Sequence, residues 1–200
     1  MATELEGTFI ILRKIKFGEA DLIIHALSNE GEKKSFLARG ALKSKKRFGG
    51  GILEPTHHVK FTYSTNLKSD MQTLKEAQLI QGFEGLRLDY DKLNFALTAL
   101  DCVSKISLEG DQDSASLYNL LGHLLRTLEK AKIFSVLKVQ FYLKLMRQQG
   151  VLEIEEWMKP FLIINIGEKS ESAELVTVAQ DRMGYLEKVV QVYIETAAAN

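Results

Sequence analysis

The residues best equipped for chemistry lie in one short stretch, Arg39-Gly40-Ala41-Leu42-Lys43-Ser44-Lys45-Lys46-Arg47-Phe48-Gly49-Gly50-Gly51. Arg39, Lys43, Lys45, Lys46 and Arg47 fall within nine positions with no acid among them. Like charges at that density repel one another unless they are solvated or face an anion. The adjoining glycines allow a mobile loop whose backbone can come close to phosphates. Phe48 offers a ring on which an unpaired base can stack. Arg13, Lys14, Lys16, Lys33 and Lys34 come from the same part of the chain and strengthen the case for a polyanionic partner. The plain alternative is a solvated basic loop between two strands. A phosphate-cradling P-loop is excluded, because that motif sets its lysine after the glycines and leads into a helix, and here the cations come first. Gly167-Glu168-Lys169-Ser170 lacks the first glycine of the motif.

Other constellations give little chemistry. Cys102 is the one cysteine, so neither an intramolecular disulfide nor a cluster of metal thiolates can form. It sits in an apolar helical pattern and reads as a core thiol. His57 and His58 are adjacent, and on a strand they point to opposite faces, unsuited to holding one metal together. His25 and His123 sit in apolar patterns and read as packed side chains. Glu153, Glu155 and Glu156 read as a solvated face. No Ser, His and acid set stands out, and no acid–base pair serves a hydrolase or transferase. The chain reads as a non-enzymatic binding protein that needs no cofactor.

The elements that carry the basic residues read as β. Thr8–Ile15, Asp21–Leu27 and Lys33–Ala38 are apolar or β-branched runs. The first two are joined by Lys16–Ala20, which contains Gly18, and the next two by a turn at Ser28–Gly31. Val59–Tyr63 alternates apolar and polar, and Met71–Ile80 alternates in part and serves as a closing strand. Five short strands in about 80 residues suit a closed five-stranded barrel of the OB type, which leaves no long edge and commonly binds nucleic acid. After Gly82 the pattern turns helical. Leu93, Leu97, Leu100, Val103 and Ile106 form one stripe behind an N-cap at Asp89 or Asp91. Gly110–Ser114 is a loop. Leu117, Leu120, Leu121, Leu124, Leu125 and Leu128 form a second stripe. Ile133–Met146 is a buried central helix ended at Gly150. Phe161–Ile166 reads as a short strand or a buried extended segment, and Met183–Ile194 as a last helix. The fold class is thus α+β, an OB barrel over residues 1–81 followed by a mainly helical domain over 82–200.

Charge follows the same boundary. Residues 1–80 hold 13 Lys+Arg against 9 Asp+Glu, and residues 81–200 hold 13 against 17, so a zero net charge conceals a basic and an acidic part. Different partners for the two parts follow. No apolar run reaches membrane-spanning length, and the N-terminus lacks the pattern of a secretory signal, so a cytoplasmic location is expected.

Several of these residues together resemble a known family. Gly7-Thr8-Phe9-Ile10-Ile11-Leu12 is followed by Phe17-Gly18-Glu19-Ala20-Asp21-Leu22, then Leu27-Ser28-Asn29-Glu30-Gly31. Ala38-Arg39-Gly40-Ala41 with its basic tail, Leu53-Glu54-Pro55-Thr56, Leu74-Lys75-Glu76-Ala77 and Phe83-Glu84-Gly85-Leu86-Arg87 complete the series. Their order and spacing are similar to the RecO family of bacterial recombination mediators, well over residues 5–130 and weakly beyond about 150. The resemblance implies an OB fold that binds single- and double-stranded DNA and anneals complementary strands. It implies partnership with RecR to load RecA onto strands coated by single-stranded-DNA-binding protein, and a nucleoid-associated place in the cytoplasm. It also implies a helical domain that docks the acidic C-terminal tail of that coating protein. Arg126, Lys130, Lys132 and Lys138 beside Leu125, Leu128 and Phe134 are the candidates for the tail. The four-cysteine zinc site found in many members is not expected here. An RNA-binding OB protein and a non-catalytic interaction scaffold are the rival readings.

Overall fold

The computed structural model describes residues 4–66, 69–107 and 115–198. Five strands come first: β1 (Glu4–Phe17), β2 (Asp21–Ser28), β3 (Lys33–Ala38), β4 (His58–Asn66) and β5 (Ser69–Gln81). They close into a barrel in the order β1-β2-β3-β5-β4, with β4 returning to β1. Every neighbouring pair is antiparallel except β3 and β5, which meet in parallel at Phe36–Leu37 and Gln72–Thr73. This is the expected OB-type barrel, and each expected strand is present.

Period-two alternation builds the barrel core. Phe9 and Ile11 face inward with Leu22, Ile24 and Ala26, Phe36 and Ala38, and Val59, Phe61 and Tyr63. The rings of Phe9, Phe36, Phe61 and Tyr63 pack edge-on or stacked, with centroids between 5.1 and 5.9 Å apart. On β5 the inward residues are Leu74 and Ala77, which simple alternation would put on opposite faces. The register explains this: Thr62 pairs with Glu76 and Tyr63 with Leu74, so an extra residue on β5 shifts the alternation by one.

The helices are α1 (Tyr90–Ile106), α2 (Ala115–Lys130), α3 (Ser135–Gln148), α4 (Lys159–Ile163) and α5 (Ala173–Ala198). Asp89 caps α1, its Oδ1 accepting from the backbone N–H groups of Asp91 and Lys92 at 3.0 and 3.1 Å. The buried face of α1 is Phe95, Ala96, Ala99, Leu100, Cys102 and Val103, and Leu97 is exposed. The stripe expected from Leu93 and Leu97 is therefore rotated, because two alanines supply part of the inner face. The leucine stripe of α2 is buried throughout. Helix α3 buries nine residues and ends at Gly150, whose φ is +68°. Phe161–Ile166 is not extended through its first half: Pro160 sits in the opening turn of α4, and Phe161 and Leu162 pack from that helix. The last helix begins ten residues before Met183. His123 is exposed, not packed. The expected loop at Gly110–Ser114 lies outside the described residues.

One buried polar residue fixes the turn between α4 and α5. Gln140 donates from Nε2 to the carbonyls of Asn165 and Glu168 and accepts from the Gly167 N–H at 2.9 Å. Gly167 has φ +88°, and a Cβ there would lie 2.3 Å from Thr127 Cγ2, so only glycine fits.

The chain divides into two compact units: residues 1–83 with 97–118, and residues 84–96 with 119–200. Helices α1 and α2 are each shared between them. In the first unit, the C-terminal half of α1 and the start of α2 are hydrogen-bonded to the barrel: Lys33 Nζ donates to the Ser104 carbonyl at 3.0 Å and His58 Nε2 is hydrogen-bonded to Tyr118 Oη at 2.6 Å. Among the described residues no helix is long and apolar enough to cross a membrane.

Candidate nucleic-acid interface

The backbone gathers most of the basic residues at one end of the barrel. Beyond Ile11, β1 leaves β4 and pairs with β2 alone, so Arg13 to Phe17 run on along β2 past the barrel closure. The change of partner is anchored by the loop exit: Thr56 N–H donates to the Ile11 carbonyl at 3.0 Å, and Ile11 N–H donates to the His57 carbonyl at 2.9 Å. Thr56 adopts φ +79°, a conformation rare for a β-branched residue, and is fully buried. Lys14 and Lys16 register opposite Ile24 and Leu22, on the face that lines the barrel interior further down. Arg13 lies on the outer face, opposite His25.

The 39–51 loop folds over this end in a tied conformation rather than a free one. Gly40 N–H donates to Asp21 Oδ1 at 2.7 Å, and Leu42 N–H to the Ala20 carbonyl at 2.9 Å. Arg47 Nη2 donates to the Arg39 carbonyl at 2.9 Å, and Ser44 Oγ accepts from the Arg47 N–H at 3.2 Å. At Gly49 a Cβ would lie 2.0 Å from the Lys45 carbonyl oxygen, so the loop can close on itself only because this residue is glycine. Arg13, Lys16, Arg39, Lys43, Lys45, Lys46 and Arg47 are exposed, and among the described residues none of Lys43, Lys45 and Lys46 is in an ion pair with an acid.

Under the loop lies a concavity of about 550 Å³. Lys14, Lys43, Lys45, Leu42 and Glu54 stand around it, and Leu22, Ala41, Phe48 and Leu53 form its floor. Lys14 Nζ pairs with Glu54 Oε1 at 2.6 Å.

Three sequence expectations change here. Phe48 is only 5% exposed and belongs to the barrel core, with the Arg47 guanidinium 5.0 Å above its ring, so it is no free stacking platform. Its neighbours are polar and glycine, and the burial comes from the loop folding back over the barrel mouth. Lys33 and Lys34 stand at the other end of β3, about 17–20 Å along the strand from Arg39 at about 3.3 Å per residue. Both are engaged there. Lys33 holds the Ser104 carbonyl, and Lys34 pairs with Glu32 Oε2 at 2.8 Å. Burial works to lower the Lys34 pKa, but the hydrogen bond to Glu32 and the nearby Tyr63 outweigh it and leave the pKa raised. The sequence reading also missed Phe17, 53% exposed and the one exposed aromatic ring of the barrel among the described residues. Its place beside Lys16 was a usable signal.

In the second unit, Lys132, Phe134 and Lys138 line a groove of about 430 Å³ at the start of α3, together with Ile133, Gln180 and Met183. Lys138 Nζ lies 5.2 Å from the centroid of Phe95 and 5.4 Å from that of Phe134. Arg126 and Lys130 are exposed on α2 and do not line this groove. Leu125 and Leu128 are fully buried and cannot meet a partner; as inner members of the α2 stripe they hold the helical core.

Among the described residues no set of three or more His, Cys, Asp and Glu side chains could hold a metal ion. The four-cysteine zinc site does not fit this chain. Its single cysteine is buried in α1, and burial pushes the Cys102 thiol up to about 12, away from the thiolate that zinc requires.

Residues 1–83 match the family model described as the N-terminal domain of recombination protein O. The DNA repair protein RecO of Maridesulfovibrio salexigens is 33% identical over 147 residues, 74% of this chain and 59% of that protein. That of Desulfosudis oleivorans is 33% identical over 144 residues, 71% of this chain and 55% of the relative. That of Anaeromyxobacter dehalogenans is 30% identical over 145 residues, 72% and 56% respectively. The chain thus spans less than two thirds of the length of these curated relatives.

Proposed function

We propose, from the premise that this chain belongs to the RecO family, that it acts in DNA repair and recombination by binding single- and double-stranded DNA and annealing complementary strands. The observation that carries the reading is the cationic barrel end, where Lys14, Lys43 and Lys45 surround one concavity and Lys16, Arg39, Lys46 and Arg47 lie on the adjoining strand and loop, while Lys33 and Lys34 are held elsewhere. Phosphate contacts fix a strand without reading its sequence. Cations spread around a barrel mouth lower the repulsion between two strands and leave their bases unpaired, which is what annealing needs. No catalytic group enters this mechanism.

The same reading gives the helical unit a partner. The acidic C-terminal tail of single-stranded-DNA-binding protein carries carboxylates. The groove of Lys132, Ile133, Phe134, Lys138 and Met183 offers cations beside apolar surface. With RecR, the protein then helps load RecA onto coated strands in the nucleoid.

Annealing of complementary oligonucleotides, bare and coated, tests the reading. The wild type anneals rapidly, and the Lys43→Glu/Lys45→Glu/Lys46→Glu/Arg47→Glu variant loses the activity. Stronger binding to RNA than to DNA would favour an RNA-binding protein. No annealing by a folded wild type would leave an interaction scaffold.

A further inference from the structure

The geometry points to a nucleotide pocket at the barrel mouth: one unstacked base of a single strand enters the concavity beside Leu42, its phosphate lies on Lys43 and Lys45, and the next base stacks on Phe17. The inference rests on the proposed DNA-binding reading and goes further by naming a base-holding site.

Four observations carry it. The concavity, at about 550 Å³, is in the size range of small-ligand sites. Its floor is apolar, made by the largely buried Leu22, Phe48 and Leu53. Its rim holds three lysines against the single carboxylate of Glu54, and Lys14 already neutralises that carboxylate. An apolar slot under a cationic rim suits a flat, uncharged ring attached to a phosphate.

The fourth observation is exposure. Leu42 is 52% exposed and Phe17 53% exposed, and each stands on backbone that is held in place. Leu42 is fixed through its N–H to the Ala20 carbonyl, and Phe17 pairs across the β1–β2 end with Asp21, whose carboxylate accepts from Gly40. Two backbone-tied residues thus present apolar surface near the β1–β2 end, and Leu42 lines the concavity itself. Stacking on such surfaces is sequence-tolerant, because every base has a π face. A base within a duplex is stacked on both sides and cannot enter, so the pocket adds affinity for single strands alone.

The test compares two fluorescent oligonucleotides of equal length, one normal and one abasic, by anisotropy with the full chain. The expected result is about tenfold tighter binding of the normal strand by the wild type. Phe17→Ala/Leu42→Ala should bring that ratio to near one without altering the salt dependence shared by both strands. Leu42→Ser alone should lower it in part, and a thermal melt confirms that both variants are folded. Equal binding of the two strands by the wild type overturns the pocket while leaving phosphate binding intact. An undiminished ratio in both variants also overturns it, since the base must then be held elsewhere. Binding of neither strand by folded wild type overturns the DNA-binding reading together with the pocket.

Discussion

At the barrel mouth, Lys43 and Lys45 stand in solvent around an apolar floor, whereas in the helical unit Lys138 lays its ammonium over the rings of Phe95 and Phe134. Both regions combine lysine with apolar surface, but they fix the charge differently. At the mouth the backbone is tied and the side chains are left to reach, which suits a partner whose charges repeat along a chain. In the groove the ammonium is held by aromatic faces and can meet one carboxylate at one place, which suits a short peptide. Apolar side chains also divide. Those at the mouth border a concavity, and the leucines of α2 are sealed in the core, although in sequence both lie next to cations.

The largest effect that could break this comparison concerns α2. Leu125→Ala or Leu128→Ala should destabilise the protein by about 2–5 kcal/mol, as deletion of buried methylenes does, measured by urea unfolding. Lys132→Glu with Lys138→Glu should weaken binding of an acidic tail peptide far more than it lowers stability. Loss of peptide binding by Leu125→Ala at unchanged stability would mean that α2 forms the docking face after all.

The next effect is electrostatic. If about five phosphates of a single strand are neutralised, the plot of log affinity against log salt should have a slope near −3.5, roughly a hundredfold loss between 50 and 200 mM. Lys43→Gln with Lys45→Gln should flatten the slope by about 1.4, and Lys33→Gln with Lys34→Gln should leave it unchanged. A titration in which the second pair matters as much as the first would erase the distinction between the two ends of β3.

The smallest effect sharpens the contrast between the lysines themselves. Lys138→Met should cost about 0.5–1 kcal/mol of stability by removing the charge from above two rings, and Lys45→Met should cost nothing measurable. Thermal melts of the two variants side by side make the comparison.

Much of this is legible in the sequence. The five strands, the α2 stripe, the Asp89 cap and the basic loop follow from local signals, because alternation, capping and charge density act within a few residues of one another. What escaped is non-local. The β5 bulge depends on pairing with Tyr63. The true face of α1 depends on which neighbour accepts its alanines. The helical state of Phe161 depends on burial against α3 rather than on its own β propensity.

The candidate site divides along the same line. Sequence alone determined that a cationic, glycine-rich loop interrupts a small barrel, since residue types and spacing are enough to establish charge and strand period. Only the tertiary structure decided which cations share a surface. It folded the loop back so that Phe48 became core and Leu42 stayed outside, carried β1 past the barrel closure to bring Lys14 and Lys16 to the loop, and tied Lys33 and Lys34 to partners at the far end. Those outcomes depend on backbone hydrogen bonds between residues as distant as Leu42 and Ala20 or Ile11 and Thr56, and local sequence carries no record of such pairings.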